Sequence, residues 1–208
     1  MTIALKEWAV TVRALAEGEQ LVTLRKGGIS ETNKHFEIAA PRFFLYPTFD
    51  HQQTGLVRES HVPEFRRALE DGVWPTPPPT IGMMEAGIGI PQPTSVRLRA
   101  WAEIAAAYEV TDAAAIEALS PYHVWTPEYA VKRLKWKPRH PLHVLLLRCY
   151  RIPRPVTLRV QPEYLGCKSW VEIDRELAFE GKPVVSDDEF ATIAADLDER
   201  LANISAIA

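Results

Sequence analysis

Residues 142–152 read LHVLLLRCYRI, and the fold turns on them. The unbroken aliphatic run Val144, Leu145, Leu146, Leu147 leaves no polar face, so the segment reads as a central strand buried on both sides. Arg148 interrupts this longest apolar run, so it is no membrane span. Downstream, PVTLRV (155–160) and CKSWVEI (167–173) read as two further strands. Upstream, SVRLRAWAEIAAAYEVTD (95–112) starts with Val96, Leu98 and Ala100 on one side and Arg97, Arg99 and Trp101 on the other, the alternation of a long bent strand. QLVTLRKGG (20–28) is a strand entering a Gly-Gly turn. HFEIAAPRFFLYP (35–47) is extended, and Pro41 and Pro47 confine it to an edge, a bulge or two short strands.

Helices fall between these strands. ALKEWAVTVRALAEG (4–18) puts Trp8, Val12 and Leu15 on one face, with Gly18 placed to end it. SHVPEFRRALEDG (60–72) and DAAAIEALS (112–120) are short helices. TPEYAVKRLKWKP (126–138) has Thr126 as its cap and Pro127 at the first helical position. SDDEFATIAADLDERLANI (186–204) opens with a capping box, Ser186 and Glu189. Helices that interrupt strands without alternating with them predict an α+β fold on a mixed or antiparallel sheet, with peripheral helices and a C-terminal one. Six prolines and three glycines in residues 73–94 exclude a long regular element there and suggest a binding loop. The expected organisation is one domain over 1–180 and a helical appendage over 181–208.

Of the 208 residues 47% are hydrophobic, enough for one buried core. Cys149 and Cys167 form no CxxC pair, and MTIALKEW resembles no export signal, so a reducing cytoplasm is expected. The net charge of −3 hides a strong segregation. Residues 121–160 carry nine basic side chains against one acid, Glu128, whereas 161–208 carry four against 11. Such segregation can place a positive field on an acidic protein.

Four stretches carry chemistry. In LRKGG, Arg25 and Lys26 precede Gly27 and Gly28, which free the backbone for an anion-binding turn. RFFLYPTFDHQ (42–52) runs from aromatics, Tyr46 included, into Thr48, Asp50, His51 and Gln52, groups able to bond base edges. The helix 126–138 interleaves Lys132, Arg133, Lys135 and Lys137 with Trp136, the mixture that phosphate contact and base stacking require. Those lysines are equally compatible with a solvated face on a helix that Tyr129, Leu134 or Trp136 anchors to the core. GCKSW (166–170) reads as packing, with Cys167 a small buried residue and Trp170 in the core. The histidines at 35, 51, 61, 123, 140 and 143 form no HxH or HExxH, so no metal and no cofactor is expected.

Four blocks, residues 6–31, 43–52, 124–155 and 162–173, resemble a prokaryotic family known as domain of unknown function 1802. That resemblance implies a link to restriction–modification or other handling of foreign DNA, and a restriction-type partner protein. The strand layout also resembles the PUA, ASCH and EVE barrels, which implies a barrel-like sheet and binding of RNA or modified bases. The expectation is therefore a nucleic-acid-binding accessory domain contacting DNA or RNA, modified bases included, and no membrane. Its contacts are Arg25, Lys26, Gly27, Tyr46, Thr48, His51, Gln52, Lys132, Arg133, Lys135 and Trp136, with the loop 73–94 closing over them. The alternatives are a metal-dependent nuclease or other hydrolase, its metal held by scattered Asp50, Glu37 and Glu103, and a protein-interaction module. No D-x-K or E-x-K lies on an expected strand, which weighs against the nuclease.

Overall fold

A computed structural model describes residues 1–26, 36–75, 77–86, 90–136 and 140–205. The buried run at the centre is longer than the sequence implies. Strand β6 (Leu142–Arg159) absorbs both LHVLLLRCYRI and PVTLRV, and it pairs antiparallel along its length with β5 (Ser95–Val110). Register shifts between Leu98 and Ala100 and between Ile104 and Ala106 bend this ribbon, as the sequence leads one to expect of a long strand. Around it lie β1 (Thr2–Trp8), β2 (Val22–Arg25), β3 (Arg42–Thr48) and β7 (Trp170–Ile173), in the order β2-β6-β5-β3-β1-β7. Two short strands, β4 (Gly72–Val73) and β8 (Lys182–Pro183), add to β5 and β6. Only the β1–β3 pair is parallel among the described pairings, which makes the sheet mixed. The fold is α+β.

The N-terminal segment corrects the sequence reading. Residues 2–8 are a strand, and the helix α1 (Ala9–Glu17) starts only after Trp8. Strand β1 is flanked by β3 and β7, so its side chains are buried on both faces, Lys6 and Glu7 included. Gly18 ends α1 in the left-handed conformation (φ 80°), as expected. β3 is likewise no edge strand. Its ladder to β5 stops at Phe44, however, so Pro47 sits where β3 has a partner on one side only.

The sheet curls. β2 and β1 are separated in hydrogen-bonded order by β6, β5 and β3, yet Thr23 of β2 donates to Glu7 of β1 at 2.6 Å. Inside the curl Leu5, Phe43, Leu45, Ala102, Leu145 and Leu147 pack with Val12 and Leu15 of α1. On the outer face Phe44, Trp101, Val144 and Leu146 belong to a second cluster with residues of the remaining helices. These are α2 (Glu64–Leu69), α3 (Ile81–Glu85), α4 (Ala113–Ala118), α5 (Pro127–Lys135) and α6 (Asp187–Ser205). Two buried faces explain why β6 has no polar side to read.

Ser186 accepts from the Glu189 backbone N–H at 3.2 Å, as the capping box requires. Helix α6 buries Leu197 and Leu201, and its Asp196 takes hydrogen bonds from Tyr122 and Arg200. The loop 73–94 is less irregular than its prolines suggest, since it contains α3 and buries Met84.

Candidate nucleic-acid interface

Strands β1, β2 and β3 all end at one place, at Trp8, Arg25 and Thr48. Helix α5 forms one wall there and residues 166–169 form another, enclosing a cavity of about 330 Å³. Segments distant in sequence converge on it because the curl brings strand ends together. Arg25, Lys26, Thr48, His51, Lys132, Arg133 and Trp136, all expected from sequence, line it.

Three expected residues stand apart. Tyr46 is buried edge-on to Tyr164, with ring centroids 5.8 Å apart, and burial first, then the neighbouring Tyr164 and Asp50, raise its pKa. Gln52 is also buried and serves the fold: its Oε1 accepts from the Val10 backbone N–H in the first turn of α1 at 3.2 Å. Lys135 projects from α5 into solvent, outside the cavity. Gly27, with Gly28 and Lys137, lies outside the described residues.

The cavity floor is charged. Glu7, 2% exposed, accepts from the Trp8 backbone N–H (2.9 Å), Thr23 Oγ1 (2.6 Å) and an Arg25 guanidinium N–H (3.3 Å). Lys6 donates to the carbonyls of Tyr164 (2.7 Å) and Gly166 (2.8 Å). An ammonium has three N–H groups, so one Lys6 donor is left for the cavity. Burial lowers the Lys6 pKa, Lys168 and Arg25 add repulsion, and Asp50 and Cys167 oppose them.

The walls combine cations with rings. Tyr129 is the anchor of α5, stacked on Trp125 at 4.7 Å and edge-on to Trp8 at 5.2 Å. Its hydroxyl accepts from Arg133 Nε and an Arg133 terminal nitrogen at 3.0 and 2.8 Å, which holds that guanidinium across the wall. Lys26 donates to the Leu134 carbonyl in the last turn of α5, an arrangement the helix dipole favours. Lys132 is exposed and reaches Gln53 Oε1 at 3.4 Å. Trp136, 37% exposed, stands at the rim. Six cationic side chains (Lys6, Arg25, Lys26, Lys132, Arg133, Lys168) thus face two carboxylates, Glu7 and Asp50.

Cys167 is the second correction. It is exposed on the rim with its Sγ 3.8 Å from His51 Nε2, and not a buried packing residue. Trp170 instead packs against Phe36 and Phe43. The described residues of the loop 73–94 do not line the cavity, although Gln92 donates to Asp50 from beside it. The acidic helix α6 packs on α4, and its described residues do not line the cavity. Glu103 pairs with Arg42 and Tyr150, and among the described residues no three His, Cys, Asp or Glu side chains converge, so Asp50, Glu37 and Glu103 do not assemble.

The family described as a domain of unknown function (DUF1802) matches residues 4–196. The chain belongs to that family. No curated protein matches the DUF1802 chain. Among solved structures it is similar to ASCH from Zymomonas mobilis, at 11% identity and TM-score 0.39 over 78% of this chain and 90% of that one. A single-residue mutant of that ASCH protein aligns with 93% of this chain and 96% of its own, at 11% identity and TM-score 0.39. No helix among the described residues is long and apolar enough to cross a membrane.

In this DUF1802 chain sequence reasoning missed Lys6, Glu7, Trp8 and the segment 166–169. A readable signal existed for two of them: Lys6 and Glu7, inside an otherwise apolar segment, are a costly pair to bury without partners.

Proposed function

We propose that the protein binds nucleic acid by seating one nucleotide of a single strand, or one base turned out of a duplex, in the cavity at the ends of β1, β2 and β3. The observation that carries this reading is the excess of cations over carboxylates around a space of about 330 Å³ lined by Trp8 and Trp136. That volume lies at the low end for small-ligand sites and admits a nucleotide unit but no duplex. In the proposed pose the spare Lys6 donor, Lys132 and Lys168 take phosphate oxygens, and a base lies against an aromatic ring, a contact worth about 1–3 kcal/mol. Thr48 and His51 then supply hydrogen bonds that discriminate among bases, modified ones included. A role beside a restriction-type partner rests on family resemblance and belongs to the same proposal.

Fluorescence-polarisation titration tests it, with labelled single-stranded RNA, single-stranded DNA and duplex DNA, unmodified and cytosine-modified, at two salt concentrations. Three phosphate contacts predict a slope of about −2 in log K against log salt for a single strand. Failure to bind any of them at low salt overturns the proposal and turns attention to acidic protein partners. Mg²⁺-dependent cleavage of the same probes favours the hydrolase.

A further inference from the structure

The rim of the cavity carries a nucleophile that nucleotide binding leaves unused. Cys167 is exposed, its Sγ is 3.8 Å from His51 Nε2, and both side chains line the cavity beside Lys6 and Lys168. Lys6 is 6% exposed and keeps one ammonium N–H without a protein acceptor among the described residues, so an anion contact lies in the same space as the thiol. Lys6 from β1 feels the charges of Asp50, Lys168, Cys167 and Arg25, and the cavity they share is also lined by Glu7, Lys26, His51, Lys132 and Arg133.

We propose that Cys167 and His51 form a thiol–imidazole pair that makes Cys167 a site of covalent modification by electrophiles bearing an anionic group. His51 Nε2 accepts the thiol proton, and the sulfur attacks the electrophilic carbon. Lys6 and Lys168 hold the phosphate or carboxylate of the same molecule. With iodoacetate as the probe, the S–C bond forms, the C–I bond breaks, iodide leaves with the bonding electrons, and the proton stays on the imidazole. The inference stands apart from the nucleic-acid reading, since it needs no nucleotide.

The fold supplies its own control. Cys149 is 1% exposed, and burial pushes its thiol up to about 12 against the opposing charge of Arg148. Alkylation of the native protein therefore reports Cys167, and Cys167→Ser should abolish it. The experiment follows alkylation by iodoacetate and by the uncharged iodoacetamide from pH 5.5 to 9. An isolated thiol of pKa about 8.5 is only about 1% thiolate at pH 6.5. Paired Cys167 should react with iodoacetate at that pH at least about tenfold faster than in His51→Asn. Asparagine is the substitution of choice because His51 has φ 59°, a conformation asparagine tolerates. Lys168→Ala should lower the iodoacetate-to-iodoacetamide rate ratio by about threefold, the effect of one nearby unit charge in water. Equal rates for wild type and a folded His51→Asn, both rising as an ordinary thiol titrates, would overturn the pair. An iodoacetate preference no greater than that of free cysteine would overturn the anionic class.

Discussion

Replacing Glu7 by alanine should destabilise the fold far more than an ordinary surface change. The carboxylate is 2% exposed and accepts three hydrogen bonds, one from the backbone of Trp8, one from Thr23 and one from Arg25. Deleting one member of a buried ion pair typically costs about 3–5 kcal/mol, because the surviving charge loses its compensation. Here Arg25 still donates to the Lys6 carbonyl at 3.0 Å and lies over the Phe36 ring at 5.7 Å, which moves the expected cost toward the lower bound, about 3 kcal/mol. For a chain of this size that corresponds to a fall in Tm of about 6–12 °C. Glu7→Gln keeps the shape and one acceptor oxygen and should lose less, about 1–3 kcal/mol. Urea and thermal unfolding followed by circular dichroism measure both variants. If Glu7→Ala unfolds within about 0.5 kcal/mol of wild type, the ordinary range of surface substitutions, Glu7 does not clamp β1 to β2 and the closure of the sheet is misassigned.

Lys6→Met removes the floor ammonium, so it should abolish most nucleotide binding and cost about 1–3 kcal/mol of stability through the Tyr164 carbonyl it strands, the Gly166 carbonyl keeping the Lys168 backbone N–H, read by polarisation and urea melts. Lys132→Ala should weaken single-strand binding and flatten its salt slope by about 0.7, whereas Lys135→Ala, outside the cavity, should leave the slope unchanged. His123 is buried and held at about 4, below its ordinary 6.5, chiefly by desolvation, so the unfolded chain binds its proton first. Its contribution is whole above pH 6.5 and is lost as pH falls toward 4, about 3 kcal/mol in all, and His123→Gln should remove that part of the pH dependence of the urea midpoint.

Periodicity made the sheet legible wherever a strand had a continuous apolar run or clean alternation, as in β6 and the first half of β5. It failed at β1. There Trp8, Val12 and Leu15 satisfied a helical spacing, and Lys6 and Glu7 interrupt the apolar alternation of a buried strand. The partners that make those charges tolerable are carbonyls 158 and 160 residues away and a threonine on a strand placed beside β1 only by the curl. No local pattern encodes such partners. Lys132 and Arg133 of α5, and Thr48 and His51, were legible because their chemistry was dense at a strand end or on one helix, although Lys135 of the same helix faces solvent. Gln52 had the same chemistry, but its position at the first turn of α1 turned it into a cap. Cys167 was misread for the opposite reason: Gly166, at φ 83°, turns the chain so that a small apolar residue faces the cavity and not the core.

The location of the bound strand is the central claim, and photocrosslinking tests it most directly. A 4-thiouridine-substituted single-stranded RNA would be irradiated with the native protein and the attached peptides identified by mass spectrometry. The account predicts attachment to the peptides that carry Trp8, Tyr129 or Trp136 and residues 166–169, lost in Lys6→Met. Attachment instead to the exposed arginines at the far end of β6, Arg154 and Arg159, would contradict it and move the nucleic-acid interface off the cavity.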